Sequence, residues 1–207
     1  MLPTAASRPF LSLGDSYTIG ESVDPADRWS VQLARLLRTT GTDLADPDII
    51  ARTGWTTAEL QAAIAASGNE KQYEVVSLLV GVNNQYRGES LEIYRTEFRQ
   101  LLQTAIRFAK NRPERVVVLS IPDWGRSPFA QGRDKAQISR QIDAFNAAAR
   151  QICQQSNVAF VDITPLTRRA EGDAAQFAHD GLHYSGQQMK QWAEAARPVV
   201  KSMVDSR

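Results

Sequence analysis

The chain reads Gly14-Asp15-Ser16-Tyr17 directly after its first apolar run, "PFLSL". A serine hydroxyl becomes a useful nucleophile only when a base takes its proton. Histidine is the side chain best suited to that task near neutral pH. The chain has two histidines, His179 and His183, both in "HDGLHYSG". Asp180 stands three residues before His183, within reach of one local turn, and a carboxylate there would orient the imidazole and support the imidazolium that forms. Acyl transfer also needs hydrogen-bond donors aimed at the oxyanion, each worth roughly 3 kcal/mol of barrier. The Ser16 N–H, the Gly54 N–H in "RTGW" and the side-chain amide of Asn83 in "GVNN" are candidates. Together these residue types spell nucleophilic attack on an ester carbonyl.

Taken singly, each is weak. A serine before a helix is an ordinary N-cap, glycine is common in turns, and asparagine caps helices. The elements between them decide whether they meet. Short apolar runs occur at Pro9–Leu13, Asp48–Ala51, Glu74–Val80, Arg115–Ile121 and Val158–Val161. Three of these are nearly continuous Val, Ile, Leu and Phe, as expected of strands buried on both faces of a parallel sheet. Helical spacing fills the gaps: Trp29, Leu33, Leu36 and Leu37, then "TTAELQAAIAAS" with a capping box from Thr56 to Glu59 and a stop near Gly68. A long pattern runs from Ser90 to Pro113, which is expected to stop it, and another runs through Ile138, Ile142, Phe145, Ala149 and Ile152. A last helix spans about Gly186 to Val204, with Met189, Trp192, Ala193 and Ala196 on its apolar side. Strict alternation predicts an α/β fold, a three-layer α/β/α sandwich on a five-stranded parallel sheet of flavodoxin-like type. No repeat or linker interrupts it, so residues 1–207 read as one domain. Ligands in such folds sit outside the carboxyl ends of the strands. Ser16, Gly54, Asn83 and Asp123 follow the first four strands, and Asp180 and His183 precede the last helix.

Composition removes other classes. With 24 basic and 23 acidic residues the net charge is +1, and no charged block argues for nucleic acid or an anionic membrane surface. A single cysteine, Cys153, excludes an intramolecular disulfide and reads as a small buried residue in a helix. No run reaches the roughly 18–20 apolar residues of an integral membrane segment. "MLPTAASRPF" lacks a basic region followed by an apolar stretch, so the expected place is the cytoplasm, or export with a signal already removed. The oligomeric state leaves no sign in the sequence.

Four blocks in order give the chain a resemblance to the SGNH hydrolase superfamily, the GDSL-type esterases and lipases, lysophospholipase-like members included. They are Gly14-Asp15-Ser16, Gly54 in "ARTGWTT", Gly81-Val82-Asn83, and Asp180-Gly181-Leu182-His183. The likeness extends from Phe10 to His183 and into the last helix. One position departs: Asn84 stands where the family commonly has aspartate. The resemblance implies a carboxylic ester hydrolase with Ser16 as nucleophile, His183 rather than His179 as base, and Asp180 holding His183. Ser16, Gly54 and Asn83 then form the oxyanion hole, with no metal or organic cofactor. A small-molecule ester is the implied partner; 207 residues leave little room for a lid, so a fairly open site and short acyl chains are expected. Lysophospholipase, thioesterase and carbohydrate acetylesterase activities all occur in the family.

Trp55, Tyr86, Trp124 and Phe129 follow strands 2, 3 and 4, where they are expected to line an aromatic wall beside the substrate. Asp15 is read as orienting its turn, with substrate lining as a second reading. Arg87 and Arg126 read as surface cations, or as contacts for an anionic substrate group. Two non-enzymatic readings of the α/β order fit less well. A phospho-receiver wants an acidic cluster after strand 1 and Asp at the end of strand 3, where this chain has Gly81, and a dinucleotide binder wants G-x-G-x-x-G, which "GDSYTIG" is not. A glycan-binding module of SGNH fold would be expected to have lost Ser or His, and both are present.

Overall fold

The computed structural model describes residues 7–205. The first six residues, on which much of the leader reading rests, lie outside the described residues. Five strands form one sheet, β1 (Phe10–Gly14), β2 (Asp48–Ala51), β3 (Val75–Leu79), β4 (Val116–Leu119) and β5 (Ala159–Val161). Their order is β2-β1-β3-β4-β5, and every pairing is parallel. β1, β3 and β4 are buried along their whole length, which is why their sequences run apolar without alternation. Ser12 and Ser77 are the polar exceptions, and the two hydroxyls bond each other across β1 and β3 at 2.9 Å.

Helices cover both faces. α2 (Trp29–Arg38) pairs with α8 (Gly186–Asp205) on one, and α3 (Thr57–Ser67), α5 (Leu91–Phe108) and α6 (Lys135–Gln155) pack as neighbours on the other. This is the three-layer α/β/α arrangement expected. The order places a switch point between β1 and β3, whose crossovers leave toward opposite faces. No helix among the described residues is long and apolar enough to cross a membrane.

The capping box forms as expected: the Thr56 N–H donates to Glu59 Oε2 at 2.8 Å, and the Glu59 N–H to Thr56 Oγ1 at 3.4 Å. Cys153 is fully buried in α6, and burial pushes its thiol up to about 12. Other expectations need correction. The helix expected to run to Pro113 ends at Phe108, because Lys110 and Asn111 turn left-handed (φ 60° and 57°), and Pro113 opens a 3₁₀ turn instead. Three short helices escaped the periodicity: α1 (Ser16–Ile19), α4 (Val82–Tyr86) and α7 (Thr164–Arg169). Each is too brief for an apolar face to repeat. Ser16 is not the cap of α1; Asp15 is, and Ser16 is the first helical residue.

Candidate active site

β1 turns into α1 with no room to spare. A Cβ on Gly14 would lie 2.1 Å from Thr18 Oγ1 and 2.4 Å from the Leu79 carbonyl, so only glycine lets strand and helix approach this closely. Asp15 then caps the helix, its Oδ1 accepting from the Tyr17 N–H at 3.0 Å. The Asp15 side chain is fully buried, and burial pushes its carboxyl up to about 7 against the pull of the Tyr17 and Gly81 N–H groups. Asp15 therefore shapes the turn and is shut off from substrate, which removes it from the expected lining. Ser16, as the first residue of α1, carries an N–H with no intrahelical acceptor.

The loop before α8 presents the second half. Asp180 Oδ1 accepts the N–H groups of Leu182 and His183, each at 2.9 Å, closing the local turn. Its Oδ2 meets His183 Nδ1 at 2.6 Å. Partial burial favours the neutral acid, but the His183 ring and these two backbone donors outweigh it and hold Asp180 well below the usual carboxylate range. The Tyr17 ring packs edge-on against the His183 ring, with centroids 5.8 Å apart. The loop is anchored beneath by Tyr184, whose hydroxyl donates to the Asp123 carbonyl at 3.2 Å.

A further ligand of Asp180 had no sequence signal. Ser22 Oγ donates to Asp180 Oδ2 at 3.0 Å, the same oxygen that meets His183. Ser22 holds a left-handed backbone (φ 65°), uncommon for a residue with a side chain. It ties the segment after α1 to a loop 158 residues away. Neither hydrophobic spacing nor motif matching could have picked it out.

The third component comes from the ends of β2 and β3. Gly54 has φ 88°, a conformation that favours glycine. Asn83 lies in the first turn of α4, and its Nδ2 donates one hydrogen to the Trp55 carbonyl at 2.9 Å, leaving the other for a ligand. Arg87 bonds the Gly54 carbonyl at 2.5 Å and Glu59 at 3.2 Å, so it clamps this loop. Arg126 pairs with Glu171 at 2.9 Å. Both arginines therefore have structural partners. Asn84 is buried, accepts from the Thr57 N–H at 3.1 Å and donates to Glu89 at 2.7 Å. An aspartate there would set a second carboxylate against Glu89, which gives the departure a physical reason.

Ser16, Gly54, Asn83 and His183 all line one pocket of 180 Å³, with Tyr17, Thr53, Val82, Tyr86, Trp124 and Leu182 completing its wall. Of the four aromatic residues expected beside the substrate, Tyr86 and Trp124 are there. Trp55 instead packs half-buried against the core and serves Asn83 through its carbonyl. Phe129 sits farther out, partly exposed, its ring 6.2 Å from that of Trp124. His179 is exposed and outside the pocket lining. The arrangement offers a hydroxyl, an imidazole backed by a carboxylate, and amide donors at one apolar hollow.

Comparison with known proteins bears on the fold and the family. No curated protein matches the chain. Among solved structures, TesA is similar with a TM-score of 0.73 and 20% identity over 95% of this chain and 99% of that one. A lipase/acylhydrolase from Enterococcus faecalis aligns with a TM-score of 0.72 and 19% identity over 97% and 98%. Axe2, an acetylxylan esterase from Geobacillus stearothermophilus, aligns with a TM-score of 0.70 and 19% identity over 97% of both chains. At these identities the likeness shows the shared fold. The model of the GDSL-like Lipase/Acylhydrolase family matches residues 12–190, most of the chain and all four motif blocks. The chain belongs to the GDSL-like lipase and acylhydrolase family, and is a carboxylic ester hydrolase.

Proposed function

We propose that this hydrolase cleaves short-acyl esters through Ser16, His183 and Asp180. The Ser16 hydroxyl attacks the ester carbonyl as His183 Nε2 takes its proton. Asp180 holds the ring through Nδ1 and supports the imidazolium. The Ser16 N–H, the Gly54 N–H and the free hydrogen of Asn83 Nδ2 stabilise the oxyanion. His183 then returns the proton to the leaving alkoxide. Water attacks the acyl-enzyme with His183 again as base, releasing the carboxylic acid and restoring Ser16.

The observation that carries this reading is the 2.6 Å contact of Asp180 with a His183 ring that shares one pocket with Ser16, Gly54 and Asn83. The pocket, at 180 Å³, lies below the roughly 300–1,000 Å³ of drug-sized ligand sites, which favours a short acyl group. The test is turnover of p-nitrophenyl esters from two to sixteen carbons by the wild type and Ser16→Ala. The expected result is a preference for the shortest chains and a loss of at least ~10³-fold in kcat for Ser16→Ala, with thermal unfolding unchanged. Wild-type turnover by Ser16→Ala would refute the assignment.

A further inference from the structure

A second hollow of 430 Å³ adjoins the catalytic pocket, and the two share Tyr86 and Trp124 as wall residues. Its chemistry differs from the first. Besides the two aromatic rings, Arg133, Asp134, Gln137 and Gln141 line it. The floor is fixed in advance. Trp124 Nε1 donates to Gln85 Oε1 at 2.8 Å, and Gln85 Nε2 donates to Gln141 Oε1 at 2.7 Å. That chain consumes one end of Gln141 and leaves its Nε2 group without an intramolecular partner among the described residues. The whole Gln137 side-chain amide is likewise unpartnered there, as is Asp134 Oδ2, since Oδ1 caps α6 through the Gln137 N–H at 2.9 Å. Arg133 has no carboxylate partner among the described residues. It is held instead over three rings, with its guanidinium carbon 5.8 Å from the centroid of Tyr86, 5.4 Å from Trp124 and 5.0 Å from Phe129.

Three features narrow the ligand. Arg133 and Asp134 cancel in charge, so the wall selects neither sign. Planar amide, carboxylate and guanidinium groups offer donors and acceptors side by side, the pattern that vicinal hydroxyls satisfy. Half-exposed Tyr86 adds an apolar face with a polar tip. A long acyl chain would leave all these polar groups desolvated and unpaired, which is costly.

We propose that this hollow binds the alcohol half of an O-acylated carbohydrate, a neutral polyhydroxylated leaving group, while the 180 Å³ pocket takes the short acyl group. The proposal rests on the ester hydrolase reading of Ser16. In the first step the bond between the acyl carbon and the sugar oxygen breaks, the acyl carbon bonds to Ser16 Oγ, and His183 delivers the serine proton to the sugar oxygen. The free sugar hydroxyl leaves from the second hollow, and water then releases the acid from Ser16.

The test compares kcat/KM for mono-O-acetylated glucose and mono-O-acetylated cellobiose, which keep free vicinal hydroxyls, with that for p-nitrophenyl acetate and for an anionic acetate ester, acetylsalicylate. Wild type, Gln137→Ala and Arg133→Met are measured on all four substrates, with Ser16→Ala as the control for chemistry. Wild type is expected to prefer the acetylated sugars over acetylsalicylate. The ratio of sugar ester to p-nitrophenyl acetate is expected to fall roughly 5- to 10-fold in Gln137→Ala, the usual effect of one lost hydrogen bond. Arg133→Met is expected to lower the same ratio. An unchanged ratio in both variants overturns the proposal. So does a wild-type preference for acetylsalicylate that Arg133→Met abolishes, which would make the hollow an anion site. If Ser16→Ala keeps its p-nitrophenyl acetate activity, the ester hydrolase assignment of Ser16 fails instead, an outcome separable from either of these.

Discussion

Asp15 and Asp180 each precede a residue of the proposed chemistry, one directly ahead of Ser16 and the other three residues ahead of His183, yet the fold drives their carboxyls in opposite directions. Asp15 is sealed under the β1–α1 turn, and burial raises it to about 7 although backbone donors oppose the shift. Asp180 is also partly buried, but the His183 ring and two backbone N–H groups more than compensate and hold it low. Ser22 Oγ bonds the same carboxylate. The contrast shows that an acid beside a nucleophile or base gains its role from the count and charge of its partners against its desolvation. Asp180 is built to stay ionised beside an imidazolium. Asp15 is built to cap a helix and tolerates a proton.

The sharpest way to break this comparison is Asp180→Asn. Without the carboxylate, the His183 ring loses both its orientation and its counter-charge, and kcat on p-nitrophenyl acetate should fall by roughly 10³–10⁴-fold. Asp15→Asn should do something different. The folded carboxyl binds its proton more tightly than the unfolded one, so wild type loses stability as pH rises from the unfolded value of 3.8 through about 7 and stays level above that. The loss is about 1.4 kcal/mol per pH unit where the two states differ by a full proton. Denaturant titrations from pH 4 to 8 should show this contribution in wild type and not in Asp15→Asn. An identical pH slope in both proteins would mean that Asp15 is not the buried acid described. Asp180 contributes with the opposite sign, with stability present above the usual carboxylate range and lost as pH falls.

The smallest effect should come from Ser22→Gly. Removing the hydroxyl takes one charge-assisted hydrogen bond from Asp180, and kcat should fall roughly 3- to 10-fold. Glycine also accepts the φ of 65° without strain, so the unfolding temperature should hold or rise. Lower activity without lower stability would identify Ser22 as a positioning residue. A matching fall in both would reduce it to a structural tie.

Much of this fold was legible from residues alone. β1, β3 and β4 are continuous apolar runs because both faces of the sheet are covered, and α2, α5, α6 and α8 carry their apolar residues at helical spacing because only one face is. The Thr56–Glu59 capping box needs only four consecutive residues and was readable for that reason. The end of α5 is misread because Pro113 is the more conspicuous stop, although Asn111 is of a residue type that enters the left-handed region readily. Ser16, Gly54, Asn83, Asp180 and His183 stood out as a set because their motifs are short and local. The lining was harder to read. Trp55 and Asp15 lie beside site residues in sequence yet stay out of the pocket lining, whereas Thr53, Val82 and Leu182 line it from the variable positions of the motif blocks.

The sequence by itself determined the alternation of elements, the end of the sheet at which chemistry belongs and the residue types available there, because each of these is a property of a short window of chain. Tertiary structure alone decided that Asp15 is buried and Asp180 is not fully so. It also brought Ser22 onto Asp180 across 158 residues and set Gln137 and Gln141 beside Tyr86 and Trp124. Desolvation and hydrogen-bond partners depend on what packs around a group, and that is fixed only when distant segments meet.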